Sequence, residues 1–346
     1  MKTELPDPPL LKHFSSDFQV RESLVLDLCD FDTATHQYLV VRKCGYTTPD
    51  AVRIVGEALG TDPRQVTYAG RKDEDGITEQ IFAMPVTDRR TAEGQAPWAM
   101  HQGSRWIEVT HYGFGHSQLS IGVLPGNCFR IIARNLAPDA TEWLVTARKR
   151  TAFFINYYDT QRFGVPGGPK RTHYIGAAIL AGDWDAALRE LRELKVPESS
   201  LARQWEGPAE SFFCAMDQRE SSFYLASHAS ACWNTELSAL VSSVCQDSYP
   251  VTIEGLAYQW ARSEIDAASV LAQAPTLAYN RYWFTDNGLE VRRSERTTVI
   301  QCVVDISEYQ EDEAHPGRAR VTLSLFLPSG CYATTAVRQV LGHRSR

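Results

Sequence analysis

Arg71-Lys72-Asp73-Glu74-Asp75 is the densest run of charge in this 346-residue chain, and it lies between Gly70 and Gly76. Carboxylates in such a run can hold a cation or attack a substrate. A calcium loop is excluded, because placing Gly76 at the turn puts Arg71 first and Phe82 where the bidentate glutamate must stand. Gly115-His116-Ser117-Gln118-Leu119 lacks the closing glycine of a nucleophile elbow, and Gly164 to Lys170 has neither the spacing nor the Ser/Thr of a P-loop. The cysteines (Cys29, Cys44, Cys128, Cys214, Cys232, Cys245, Cys302, Cys331) stand singly, with no CxxC pair and no zinc-spaced histidine. They read as reduced core thiols of a reducing compartment, with no metal site. On spacing alone, the charged run is a solvated turn.

Longer patterns change that reading. Gly70, Lys72, Asp73, Thr78 and Gln80 fall in register with GxKDxxAxTxQ, and Leu10-Leu11-Lys12 with Asp17-Phe18 and Glu22 matches an opening LLK…EDFxVxE. Asn156-Tyr157-Tyr158-Asp159-Thr160-Gln161-Arg162-Phe163-Gly164 is close to NYFGxQRFG, and Leu327-Pro328-Ser329-Gly330-Cys331-Tyr332-Ala333-Thr334 with Arg338 is close to LPxGS(F/Y)AT…RE. In this order and spacing the chain resembles the TruD family of pseudouridine synthases from Lys12 to Arg338. Weaker echoes are Lys43 with Thr47 and Thr48, Leu119 to Phe129, and Ser230 with Asn234.

The resemblance implies an enzyme that breaks the N1–C1′ bond of a uridine, turns the uracil and rejoins it through C5, with no cofactor. It makes Asp73 the catalytic carboxylate at C1′ or C6, and Lys12 the cation that keeps it ionised in a pocket where burial would neutralise it. The family's substrate-contacting positions fall on Tyr158 and Tyr332 as aromatic wall, on Asn156 at a base edge, and on Glu22. Thr78 and Gln80 are expected to fix the catalytic loop. Arg71, Lys72, Arg162 and Arg338 are candidates for phosphate contacts. Gly76 replaces the family's usual Ala, and Asp159 its usual Gly, which is expected to bring negative charge to the site.

The elements that must position these groups read as α+β. Strand patterns cover Asp17–Glu22, Gln37–Lys43, Ile81–Val86, Trp106–Thr110, Phe129–Ala133, Thr297–Asp305 and Arg318–Leu327. Thr48-Pro49 reads as N-cap and first residue of a helix that Gly60 stops, and a second helix is predicted over 140–157. Beyond Gly164 helical patterns dominate, with a capped helix after Gly182-Asp183 and a long one over 222–244. The expected architecture is a mixed, mostly antiparallel catalytic sheet domain from 1–180 and 297–346, holding a largely helical TruD-type insertion at 181–296.

A net charge of −7 speaks against a polyanionic partner, but it is unevenly spread. Residues 1–60, 61–180, 181–290 and 291–346 carry −3, +3, −9 and +2. The acidic block lies in the insertion, and the usual basic residues before Leu119 are replaced by Gly113 to Gln118. Two substrates therefore stay open, RNA (tRNA expected) or a free uridine nucleotide such as UMP, and a catalytically silent RNA-binding protein is a third reading. No apolar run approaches the ~18 residues of a membrane span, so a cytoplasmic protein is expected.

Overall fold

The structure, a computed structural model, describes residues 9–86, 97–138, 148–286, 288–307 and 309–342. It divides into two units, Met1–Thr151 with Cys302–Gly330, and Ala152–Gln301 with Cys331–Arg346. The expected insertion at 181–296 falls within the second.

Period-two burial builds the large sheet: in β1 (Phe18–Ser23) Phe18, Val20 and Glu22 turn inward while Arg21 faces solvent. The other strands are β2 (His36–Cys44), β3 (Thr67–Tyr68), β4 (Ile77–Pro85), β5 (Trp98–Gln102), β6 (Arg105–Gly115), β7 (Gly126–Leu136), β8 (Lys149–Ile155), β13 (Val299–Ile306), β14 (Gln310–Glu311) and β15 (Ala319–Pro328). Their order is β5-β6-β2-β4-β1-β7-β15-β13-β8, with β3 on β4 and β14 on β15. β1 and β4 run parallel, while β2 pairs antiparallel with β4 and β6, and β7 with β1 and β15. Helix α1 (Thr48–Ala58) lays Ala51, Val52 and Val55 on Leu39, Val41, Phe82, Met84, Ile107 and Val109.

Three expectations are corrected here. The N-cap of α1 is Thr47, whose hydroxyl accepts from Asp50 N, so the hydroxyl of Thr48 is left for another task. β4 starts at Ile77 rather than Ile81, which puts Thr78 and Gln80 on a strand. The second helix is not formed over 149–155, where the chain is β8, and 140–147 lie outside the described residues. Thr151, Phe153, Phe154 and Ile155 have the β-branched and aromatic content of a strand, and apolar count alone did not separate the two periods.

The second unit carries α2 (Thr172–Leu180), α3 (Trp184–Glu193), α4 (Pro197–Gln204), α5 (Ala209–Ala215), α6 (Gln218–Val244), α7 (Glu264–Gln273) and α8 (Ala333–Gly342). Its spine is α6, where Leu225, Ala229, Trp233, Leu237 and Val241 repeat every fourth residue and are all buried. α2 crosses α6 so closely that a Cβ on Gly176 would lie 2.1 Å from Tyr224 O. Two hairpins, β9 (Ser248–Ile253) with β10 (Leu256–Ala261) and β11 (Thr276–Thr285) with β12 (Gly288–Thr297), add strands to a region read as helical. Their turns explain them: Glu254 and Gly255 both take positive φ, as does Gly288 after Asn287. No helix among the described residues is long and apolar enough to cross a membrane.

One buried ion network ties the start of the first unit to its sheet. Arg134, on β7, donates to Asp17 at 2.8 and 3.0 Å and to Asp312 at 2.8 Å, and its main chain bridges to Leu10. Burial alone would raise the Asp312 carboxyl, but the main-chain N–H groups of Asn135 and Ala314, with His315 and Arg134, outweigh it and hold it at about 2. Arg134→Ala removes the guanidinium shared by two buried carboxylates, and urea unfolding at neutral pH should show a loss of about 3–5 kcal/mol. In the parent the Asp312 contribution is complete above the ordinary carboxylate value and lost as pH falls toward about 2, so stability should drop over that acid range.

Candidate active site

In the first unit the loop from Ala69 to Gly76, between β3 and β4, is pinned along most of its length. Gly122 N donates to Ala69 O, Gln80 Nε2 to Gly70 O and Gly45 N to Glu74 O. The Thr48 hydroxyl released from capping accepts from Lys72 N at 2.9 Å and donates to Gln80 Oε1 at 3.0 Å. Gly76 is forced by close approach, since a Cβ there would lie 2.6 Å from Phe18 O. The usual Ala of the resembled pattern has no room in this loop.

Asp73 is the one carboxylate of the loop with a cation brought to it from far away in sequence. Lys12 Nζ lies 3.3 Å from its Oδ2 and 4.2 Å from the centroid of the Phe18 ring. Lys12 takes φ 60, a conformation rare for a side-chain-bearing residue and common where function dictates geometry. The Asp73 side chain keeps 31% exposure, so a substrate can reach it. Lys72 and Glu22 are spent on each other instead: Nζ and Oε1 are 2.6 Å apart with side chains 5% and 1% exposed, and Glu22 Oε2 also accepts from Ile81 N. Arg71 is exposed and makes no ion pair among the described residues. Thr78 is buried in register with Val20 and Lys43.

Sequence reasoning gave Lys43 too little weight. Its ammonium is buried and donates to Tyr46 O and Asp73 O, both at 2.8 Å. Burial lowers it to about 8, with Asp73 pulling the other way and Lys72 adding to the fall. A signal existed, because Leu39, Val41 and Lys43 share the inward face of β2.

In the second unit, the remaining residues surround Tyr158. Its main chain is clamped by Asn234, with Tyr158 N donating to Oδ1 and Nδ2 donating to Tyr158 O, both at 2.9 Å. Its ring meets Tyr332 edge-on at 6.0 Å, and its hydroxyl lies 3.2 Å from that of Tyr279. Burial pushes Tyr332 up to about 12, so that phenol stays neutral. Arg296, unforeseen, sits 4.2 Å over the Tyr158 ring and donates to Asn156 Oδ1 at 2.8 Å, while Asn156 Nδ2 donates to Thr297 O. Arg162 lies 5.9 Å from the Tyr158 centroid and donates to Ser230 Oγ. No local signal marked Arg296, since its position follows from a hairpin that was not read.

Asp159 does not present the charge expected of it. Its buried carboxylate caps a 3-10 turn through Thr160 N at 2.8 Å, accepts from the Thr334 hydroxyl and lies 3.4 Å from Arg338. Arg338 is thereby engaged internally.

With that geometry in place, comparison with known proteins is decisive: the family model of tRNA pseudouridine synthase D (TruD) matches residues 9–232. The chain belongs to the TruD family. Among TruD relatives, tRNA pseudouridine synthase D of Geobacter sulfurreducens is 31% identical over 218 residues, covering 61% of this chain and 49% of that protein. That of Geobacter metallireducens is also 31% identical, over 47% of its length. The chain thus spans about half the length of these first relatives. The Colwellia psychrerythraea protein of the same name is 25% identical over 97% of this chain and 90% of its own. A crystal structure of a putative TruD from Methanosarcina mazei shares the fold, with a TM-score of 0.62 at 20% identity over 99% and 96% of the two chains.

The TruD motif loop gives a signed pH test. Lys43 titrates near 8 in the fold and at the usual lysine value when unfolded, so its burial costs stability below 8 and the cost fades as pH rises between the two. Lys43→Met removes that titration. Urea unfolding should show the parent gaining on the variant by on the order of 3 kcal/mol across this alkaline range, and parallel pH profiles would contradict the assignment.

Proposed function

We propose that this protein converts uridine to pseudouridine in tRNA. The observation that carries the reading is the Lys12–Asp73 pair, an accessible carboxylate 3.3 Å from its cation on a loop pinned by part-buried hydrogen bonds. A left-handed lysine carries a backbone cost of about 1–3 kcal/mol, a strain that clusters at functional sites. The relatives named tRNA pseudouridine synthase D support both the reaction and the substrate.

In this reading Asp73 serves the reacting carbon, as nucleophile or as partner of the charge that develops when N1–C1′ breaks. The uracil turns, C5 bonds to C1′, the hydrogen on C5 leaves as a proton and N1 takes one up. Lys12 sets a positive charge 3.3 Å from the Asp73 carboxylate. Tyr158 and Tyr332 supply the wall for the base and Asn156 its polar edge. Arg71 and Arg162 meet phosphate, and the target nucleotide leaves its stack to react. Lys43, Lys72, Glu22, Thr78 and Gln80 act by holding the loop, and Arg338 by neutralising Asp159. We place the insertion of the family at 181–296, and the protein in the cytoplasm with its tRNA.

Tritium release from [5-³H]uridine-labelled tRNA transcript tests this directly. Purified protein should release label at catalytic rate, Asp73→Asn should reduce it at least about a thousandfold with an unchanged unfolding curve, and Tyr158→Phe should keep most of it. Release from labelled UMP but not tRNA would overturn the substrate, and release from neither would leave a binding protein.

A further inference from the structure

The β11–β12 hairpin departs from the charge of the region around it. Residues 181–275 carry −8, yet the hairpin, 276–297, carries +1 with Arg281, Arg292, Arg293 and Arg296. Its register sets Arg281 directly opposite Arg292, so the two guanidinium groups share a face. Like charges directly opposite in a ribbon destabilise it, and here no carboxylate among the described residues lies within 4 Å of Arg281, Arg292 or Arg293. All three are exposed.

The same face changes character along its length. At Leu277, Tyr279 and Arg296 it packs inward, with Tyr279 against Trp233 and Arg296 over Tyr158. Two residues further out it emerges at the Arg281–Arg292 pair, followed by half-buried Trp283 opposite Glu290, whose carboxylate accepts from Thr285. Arg293, opposite Asn280, puts another cation on the reverse face. From Arg296 to Arg292 the strand advances ~13 Å, so the cations continue outward from the Tyr158 ring in a line interleaved with aromatics. That pattern suits a nucleic-acid strand, in which phosphates meet guanidinium groups and bases find π faces.

We infer that the β11–β12 hairpin is an RNA-backbone track, binding the phosphates beside the target uridine through Arg281, Arg292 and Arg293. The inference rests on the tRNA reading above and assigns its electrostatic attraction to a ribbon inside the acidic insertion. It also accounts for the like-charge pair, whose repulsion a phosphate between the guanidinium groups reverses.

The test combines Arg281→Gln, Arg292→Gln and Arg293→Gln in the full chain, with the corresponding Arg→Glu triple as a second variant. Tyr282 and Phe284 anchor the hairpin and are untouched, and thermal melts verify the fold. For the Gln triple, tRNA Kd should rise at least about tenfold, and the slope of log affinity against log salt should shrink by about 2, three contacts at roughly 0.7 each. The Glu triple should lose more, and the loss in tritium release should fall on KM more than on kcat. A parent that isomerises tRNA while both triples keep its Kd and salt slope overturns the track and leaves the proposed function standing. A parent that neither binds nor isomerises tRNA overturns both.

Discussion

The position of Asp73 depends on an ammonium group sealed from solvent, that of Lys43. Lys43 projects from β2 into the interior and donates to the main-chain oxygen of Asp73 itself, so this residue is fixed by its backbone as well as by the Lys12 contact of its side chain. Lys43 pairs with Thr78 across β2 and β4, and Thr78 pairs in turn with Val20 of β1. A slip of one residue in either register would turn Lys43 or Thr78 to the opposite face. The loop is therefore as well placed as the sheet is well registered. The charged lysine tolerates burial because it finds two carbonyls and a nearby carboxylate, at the cost of a strongly lowered affinity for its proton.

The second unit solves a similar problem with amides. Asn234 closes a reciprocal pair on the backbone of Tyr158, and Asn156 divides its side chain between Thr297 O and Arg296. Tyr158 is thus held from α6 and from the base of the β11–β12 hairpin at once. Asp159 contributes to order rather than to surface potential, because Thr334 and Arg338 of the terminal helix consume its charge. Where Asp replaces the Gly of the resembled pattern, the added charge has acquired its own partners.

Motifs were legible because they are local strings with fixed spacing; Lys12 and Asp73 lie in the first unit, and Tyr158, Tyr332 and Arg338 in the second. What escaped were long-range pairings. Nothing near Arg296 reveals that it covers Tyr158, and nothing near Thr48 shows that its hydroxyl is diverted from capping to Lys72 N. Strands β1, β2, β4, β6, β7, β13 and β15 were readable from alternation, the short β3, β5 and β14 were not, and β8 was hidden because Phe153, Phe154 and Ile155 present a continuous apolar run that fits either period. The β11–β12 hairpin was hidden by its exposure: β12 is solvent-facing along most of its length and offers almost no apolar alternation. Net charge misled for a related reason, since a sum over a block conceals the sign of one ribbon within it.

Both units are built from segments separated in sequence, and this bears on how the chain is made. β7 lies between β1 and β15, and the last of these emerges from the ribosome long after the first two. Until then β7 is an open edge with unsatisfied amides, the kind of surface that invites mispairing. In the second unit Gln339 of α8 satisfies both the N–H and the C=O of Ile155, again across most of the chain. Each unit thus receives its final partner from residues 319–342. Closure of such long loops makes folding slow. Until residues 319–342 are made, both units stay unfinished, and the free edge of β7 is open to mispairing.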